Sequence, residues 1–153
     1  MAGIDRVASE NKIVCAIVII HSKTKEILEQ KYSISEATFP YIPGFLSYRE
    51  SPIILETYEK ITTKPDLIMI RGNGILHPRK FGIACHIGLL LNKPTIGIAD
   101  SLLCGSIRDD TVYIEKEAVA KQVKLKDKSN PVIVSPGHMI SLKTSVEMAK
   151  KYC

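Results

Sequence analysis

The stretch Ile13-Val14-Cys15-Ala16-Ile17-Val18-Ile19-Ile20 constrains the fold of this chain more than any other. It holds no charged residue, and most of its side chains branch at Cβ. Such side chains lose rotamer freedom in a helix and fit a pleated strand. The run is far short of the ~20 residues that a membrane span requires. It therefore predicts a strand over 12–20 that is buried on both faces. Shorter runs over 2–8 and 26–34 read as strands too. The links, Ser9-Glu10-Asn11 and Ser22-Lys23-Thr24-Lys25, are short and polar. Links of that kind suit hairpins, so the three strands are expected to be antiparallel.

Phe39-Pro40-Tyr41-Ile42-Pro43-Gly44 follows, and its prolines and glycine exclude regular structure. Ile54, Tyr58 and Ile61 then recur at helical spacing, which predicts an amphipathic helix over about 46–62 with Glu50 on the same stripe. Asp66-Leu67-Ile68-Met69-Ile70-Arg71 reads as a buried strand ended by Gly72-Asn73-Gly74. Pro78 is suited to open a helix reaching Leu91, with Asn92 to close it. Pro94-Thr95-Ile96-Gly97-Ile98-Ala99 is the next strand. Strand, helix and strand on short links imply a right-handed crossover between parallel strands. Beyond Ser106 the pattern weakens. It predicts a hairpin of 112–115 with 123–125, and a short strand over 132–134. That strand runs into a Ser135-Pro136-Gly137-His138 turn, before a last helix carrying Leu142, Val146 and Ala149 on one face.

Three antiparallel strands, a helix, and two parallel strands joined by a helix is the ribonuclease H-like order. The expected fold class is α/β, a ribonuclease H-like mixed sheet with flanking helices, in a single domain over 1–153. Ligands of such sheets bind where the parallel strands end. That rule gathers Asp5, Arg71 to Gly74 and Asp100, with Glu50 arriving from the helix.

Composition narrows the function classes. Hydrophobic residues make up 45% and charged residues 24%, a globular balance. No apolar run suits a membrane span, and Met1 to Arg6 do not resemble a secretory leader, so a cytoplasmic protein without membrane contact is expected. Cys15, Cys85, Cys104 and Cys153 form no Cys-x-x-Cys pair, which predicts reduced thiols and no zinc site. A net charge of +5 is compatible with a polyanionic partner. Basic residues cluster at Arg79-Lys80 and over 116–128, the second interleaved with acids and so consistent with a solvated surface.

Clustered carboxylates suit phosphodiester hydrolysis, because divalent ions bound to oxygen ligands activate water and stabilise the leaving oxygen. Asp5 and Glu50 are candidates. Plainer roles stand beside these. Ser47-Tyr48-Arg49-Glu50 fits a capping box, while Ser51-Pro52 fits an N-cap and first helical position that would leave Glu50 free. Asp5 can simply face water, and His138 can belong to an ordinary surface loop. His77 beside Pro78 suits a structural role.

Several segments together resemble the endonuclease V family. They are Tyr41-Ile42-Pro43-Gly44-Phe45-Leu46-Ser47-Tyr48-Arg49-Glu50-Ser51-Pro52 and Gly72-Asn73-Gly74-Ile75-Leu76-His77-Pro78-Arg79-Lys80-Phe81-Gly82-Ile83-Ala84, with Pro94 to Ala99, Ser101 to Gly105 and Val134 to His138. The resemblance implies a ribonuclease H-like endonuclease that uses Mg²⁺ or Mn²⁺ to cut DNA, and in some members RNA, near deaminated bases such as inosine. It implies Asp5 and Glu50 as metal ligands and His138 as a catalytic-site residue near the second metal or the nucleophile. It makes Tyr41, with Pro40 and Pro43, a wedge that enters the strand. Gly44, Leu46, Gly72, Gly74 and Leu103 would line the pocket for a flipped base. His77 and Arg79 join them as expected nucleic-acid contacts. The partner is nucleic acid, and the residues set no oligomeric state.

Two positions depart from the resemblance. Arg71 stands where the family has a metal-binding aspartate, and Asp100 stands where it has a lysine. Arginine cannot ligate a metal. Three outcomes are open. Asp100 supplies the carboxylate while Arg71 replaces the lysine near the scissile phosphate, in a site still active. Or the two form a salt bridge across a dead site. Or the chain is a disabled relative that still binds nucleic acid. A small-molecule site at the glycine loop after Arg71 is a further alternative. The chain also looks shorter than typical members before Val132 and at its end, which predicts a weaker or single-strand-biased grip, or a dimer that restores it.

Overall fold

The structure is a computed structural model and describes residues 1–9, 11–42, 44–126 and 129–153. Nine strands and three helices are formed by these residues, in the order β1 (Ala2–Ser9), β2 (Lys12–Ile20), β3 (Ile27–Glu36), α1 (Leu46–Glu59), β4 (Ile68–Arg71), α2 (Ile83–Leu91), β5 (Thr95–Ala99), β6 (Ser106–Arg108), β7 (Thr111–Ile114), β8 (Glu117–Val123), β9 (Val132–His138) and α3 (Leu142–Tyr152). All nine strands join one sheet, ordered β3-β2-β1-β4-β5-β9-β8-β7-β6. β1, β4 and β5 are parallel, and the antiparallel β2–β3 hairpin extends β1 outward. This is the ribonuclease H-like layout that the strand order predicts.

The run in β2 is buried on one face only. Ile13, Cys15, Ile17 and Ile19 are buried with Ile53, Ile54 and Tyr58 of α1 and Ile83 and Ile87 of α2. Val14 is 40% exposed, and so on the other face are Val7 at 64%, Tyr32 at 68% and Ile34 at 59%. The expected two-sided burial fails because α3 packs on β8 and β9 instead, over Met69, Ile96, Val123 and Val134. The four cysteines are free, and Cys15 and Cys85 are buried. Among the described residues no helix is long and apolar enough to cross a membrane.

Four local expectations need correction. α1 begins at Leu46 with no side-chain cap, so neither the Ser47–Glu50 box nor a Ser51 cap forms, and Pro52 lies inside the helix. A proline there withholds the amide bond to the carbonyl four residues earlier. α2 begins at Ile83, not Pro78, because the carbonyls of Gly74 and Asn73 accept the Gly82 and Ala84 amides at 2.9 and 3.1 Å and set the first turn there. Asn92 ends α2 in the left-handed region, as expected. β8 spans Glu117–Val123, so the hairpin partner of β7 precedes residues 123–125, and β6 was not anticipated. Ser135 to His138 continue β9 rather than turning. Pro136 is tolerated because β8 pairs only as far as Val134, leaving β5 as the sole neighbour beyond it.

Candidate nucleic-acid site

Sheet register places the central charges. Ile4 pairs with Ile70, so the next residues, Asp5 and Arg71, sit abreast at the carboxyl end of β4. Arg71 in turn pairs with Ile98, two residues before Asp100. The Arg71 guanidinium spans both acids, 3.2 Å from Asp5 Oδ2 and 2.6 Å from Asp100 Oδ2. These three side chains are 50–64% exposed. The two carboxylates raise the Arg71 pKa further, first through the Asp100 hydrogen bonds.

Neighbouring residues of a strand point to opposite faces, so Arg6 faces away from Asp5. It meets Glu50 of α1 there. Arg6 Nε donates to Glu50 Oε2 at 2.6 Å, its Nη2 lies 2.5 Å from the same oxygen, and its Nη1 donates to the Arg71 carbonyl at 2.5 Å. This pair is nearly enclosed, with side-chain exposures of 6% and 10%. Sequence reasoning missed Arg6. Its only signal was a basic residue beside Asp5 in a short, mostly apolar strand.

These residues do not fit a divalent metal as they stand. Asp5 and Asp100 both face Arg71, Glu50 holds Arg6, and among the described residues no three His, Cys, Asp or Glu side chains converge on one point. Arg71 and Asp100 do form a salt bridge, and Arg71 reaches Asp5 as well. His138 is not brought to this cluster. It pairs with Thr95 at the start of β5, and its amide donates to Thr95 Oγ1 at 2.9 Å. At ~3.3 Å per residue, Thr95 lies roughly 16 Å along the strand from Asp100. A catalytic place for His138 beside Asp5 is therefore corrected: antiparallel β9 carries it to the opposite end of the sheet.

Several residues expected to line a base pocket share one small cavity. Tyr41, Gly44, Leu46, Ser47, Asn73, His77, Gly82, Ile83 and Leu103 enclose about 90 Å³. Tyr41 is 66% exposed at its mouth, with Pro40 just before it, while Pro43 lies outside the described residues. Asn73 lines the cavity, and its Oδ1 is buried with no hydrogen-bond partner. Gly72 and Gly74 do not line the cavity. A Cβ on Gly74 would lie 2.0 Å from the Pro136 carbonyl oxygen, and one on Gly72 2.8 Å from the Ile83 side chain. These glycines allow the β4–α2 loop to lie flat on its neighbours instead.

His77 and Arg79 brace the residues that lead into α1. Arg79 donates to the Gly44 carbonyl at 2.6 Å and stacks 4.1 Å over the Phe45 ring. His77 Nδ1 accepts the Arg79 amide at 3.2 Å. Burial, and then the charge of Arg79, lower the His77 pKa, which favours a neutral ring. Ser47, Asn73, Gly82 and Ile83 were missed as lining residues. Asn73 carried a signal in its place between two glycines, and the others had none.

Comparison with known proteins bears on this arrangement. The Endonuclease V family model matches residues 1–153. The chain is 45% identical to Endonuclease V of Dictyoglomus thermophilum, over 99% of this chain and 70% of that relative. The crystal structure of Endonuclease V from Bacillus subtilis superimposes with a TM-score of 0.89 at 32% identity, covering 98% of this chain and 70% of that one. Ciona intestinalis Endonuclease V, in complex with a 24mer DNA containing an inosine followed by a ribo-adenosine, superimposes with a TM-score of 0.84 at 25% identity, covering 98% and 76%. The chain thus spans about 70% of the length of such relatives, and it belongs to the Endonuclease V family, a family of nucleases.

Proposed function

We propose that this chain recognises a deaminated base, hypoxanthine foremost, in DNA or RNA, and that its arginine-paired carboxylates hold it in a binding rather than a cleaving state. The observation that carries this reading is the small cavity lined by Tyr41 and Asn73, where the Asn73 side-chain oxygen is buried without a partner. Hypoxanthine has a protonated ring nitrogen beside its carbonyl, whereas adenine has a bare acceptor at that ring position. Turned into the cavity, the Asn73 oxygen would answer the first and repel the second. Tyr41 would fill the gap left in the strand, since stacking on an aromatic ring offsets lost base stacking. Such a protein would serve the surveillance or repair of deaminated nucleic acid.

A second reading, metal-dependent hydrolysis of the strand near inosine, draws support from one feature. Asp5 and Asp100 flank a single exposed cationic head, which is what an exchange of charges between β4 and β5 would leave.

The test uses end-labelled single- and double-stranded oligonucleotides, DNA and RNA, with and without one inosine. They are incubated with Mg²⁺, Mn²⁺ or chelator. The first reading expects tighter binding to inosine strands, no nicking, and an affinity that falls with salt but not with chelator. Inosine-dependent nicking that Asp5→Ala abolishes would establish the second reading. Equal affinity for inosine and adenine strands would overturn the first.

A further inference from the structure

A second cavity adjoins the base pocket and shares Gly44 and Ser47 with it. It measures about 170 Å³ and is completed by Tyr48, Arg79, Phe81 and His86. The chain has three phenylalanines and no tryptophan, and all three phenylalanines lie in this neighbourhood. The Tyr48 ring lies 6.0 Å from Phe39, 5.8 Å from Phe45 and 6.0 Å from His86 between centroids. Phe81 lies 5.9 Å from His86. Tyr48 is nevertheless 60% exposed and Phe81 44% exposed.

Core packing does not explain two half-open rings around a notch. Rings that served the core would be covered, as Tyr58 is at 8%. The chemistry of the notch is that of a base-stacking site. It offers aromatic faces, the edge of a guanidinium already aligned over Phe45, and an imidazole. Ser51 Oγ lies 3.3 Å from His86 Nδ1, which leaves Nε2 for a ligand edge. Burial lowers the His86 pKa, so the ring favours its neutral form.

We infer that this notch is a second nucleobase subsite, holding the nucleotide next to the one taken by the first pocket. The inference rests on the proposed reading of the first pocket. Stacking is indifferent to base identity because every base has a π-face, so the subsite adds affinity without adding sequence preference. It also asks for an unpaired neighbour, which favours single strands over duplex.

The test is anisotropy with labelled single strands carrying one inosine, in which the nucleotide on either side is replaced in turn by an abasic analogue. For the unmodified protein, one of the two replacements should weaken binding roughly 5- to 150-fold, the range for one base stacked on an aromatic ring. The Tyr48→Ala/Phe81→Ala variant should bind the abasic and intact strands equally, with circular dichroism confirming its fold. Both rings are substantially exposed, so the substitutions leave the core untouched. If the unmodified protein prefers inosine over adenine but ignores both abasic replacements, the subsite is overturned and the base pocket stands. If it feels the abasic replacement without preferring inosine, the base pocket is overturned instead. Equal losses in variant and unmodified protein would move the stack elsewhere and overturn the subsite, and no binding to any strand would overturn both.

Discussion

Replacing Glu50 by alanine separates a masked carboxylate from a free metal ligand. In this structure Glu50 is held by Arg6 in a pair that is 90% or more enclosed, and the same arginine reaches the Arg71 carbonyl. Removing one member of a buried pair strands the other charge, which costs about 3–5 kcal/mol. With a urea slope near 2 kcal/mol/M, the unfolding midpoint should fall by about 1.5–2.5 M. Arg71→Ala should behave differently. Its two partners and its own head group are half exposed or more, so each lost contact is worth only about 0.2–1 kcal/mol. Equilibrium urea denaturation followed by circular dichroism measures both. Arg6→Met combined with Glu50→Leu should recover most of the loss, because a buried ion pair replaced by apolar groups of similar size is often neutral. A Glu50→Ala protein as stable as the parent, or more so, would refute the reasoning. That is the behaviour of a carboxylate relieved from a like-charged cluster.

Gly97→Ala should destabilise by roughly 1–3 kcal/mol in the same assay, because its Cβ would meet the Gly74 amide at 2.3 Å and the Asn73 and Gly72 backbone at 2.7 Å. Tyr41→Ala should leave stability almost unchanged, since the ring is 66% exposed, while lowering affinity for inosine strands in an anisotropy titration. Glu29 accepts the amides of Thr62 and Thr63, which pull its pKa from an ordinary 4.5 to about 2. A depressed carboxylate stabilises above its unfolded pKa, and that contribution disappears as pH falls from about 4.5 to about 2. Glu29→Gln should therefore be less stable at neutral pH, with the gap to the parent narrowing through that window in thermal melts. The buried Cys85 thiol, pushed up to about 11 chiefly by desolvation, should resist alkylation at pH 8 until the protein unfolds.

The sheet and its crossover were legible because they follow from apolar periodicity and turn residues. The β2 run, the glycine loop after Arg71 and the left-handed Asn92 each act locally, so their neighbours in the chain suffice to read them. Arg71 and Asp100 were legible as neighbours because β4 and β5 run parallel, with Arg71 paired to Ile98 two residues before Asp100. What local patterning does not contain is which face a helix covers and which distant charge answers another. Arg6 and Glu50 lie 44 residues apart, and nothing near either announces the pair. The open face of β2 depends on where α3 docks. His138 was misplaced because Pro136 reads as a turn, whereas an edge position lets β9 run on past it. The start of α2 is decided by loop carbonyls rather than by Pro78.

The most direct test of the account is Mn²⁺ binding followed by calorimetry, with the unmodified protein beside a variant carrying Arg71→Asp and Asp100→Lys. The account predicts no stoichiometric Mn²⁺ site in the unmodified protein, because Arg71 lies between the carboxylates, and a site gained in the variant. One Mn²⁺ bound by the unmodified protein and lost with Asp5→Ala would contradict it, and would mean that these carboxylates release their arginines to hold a metal.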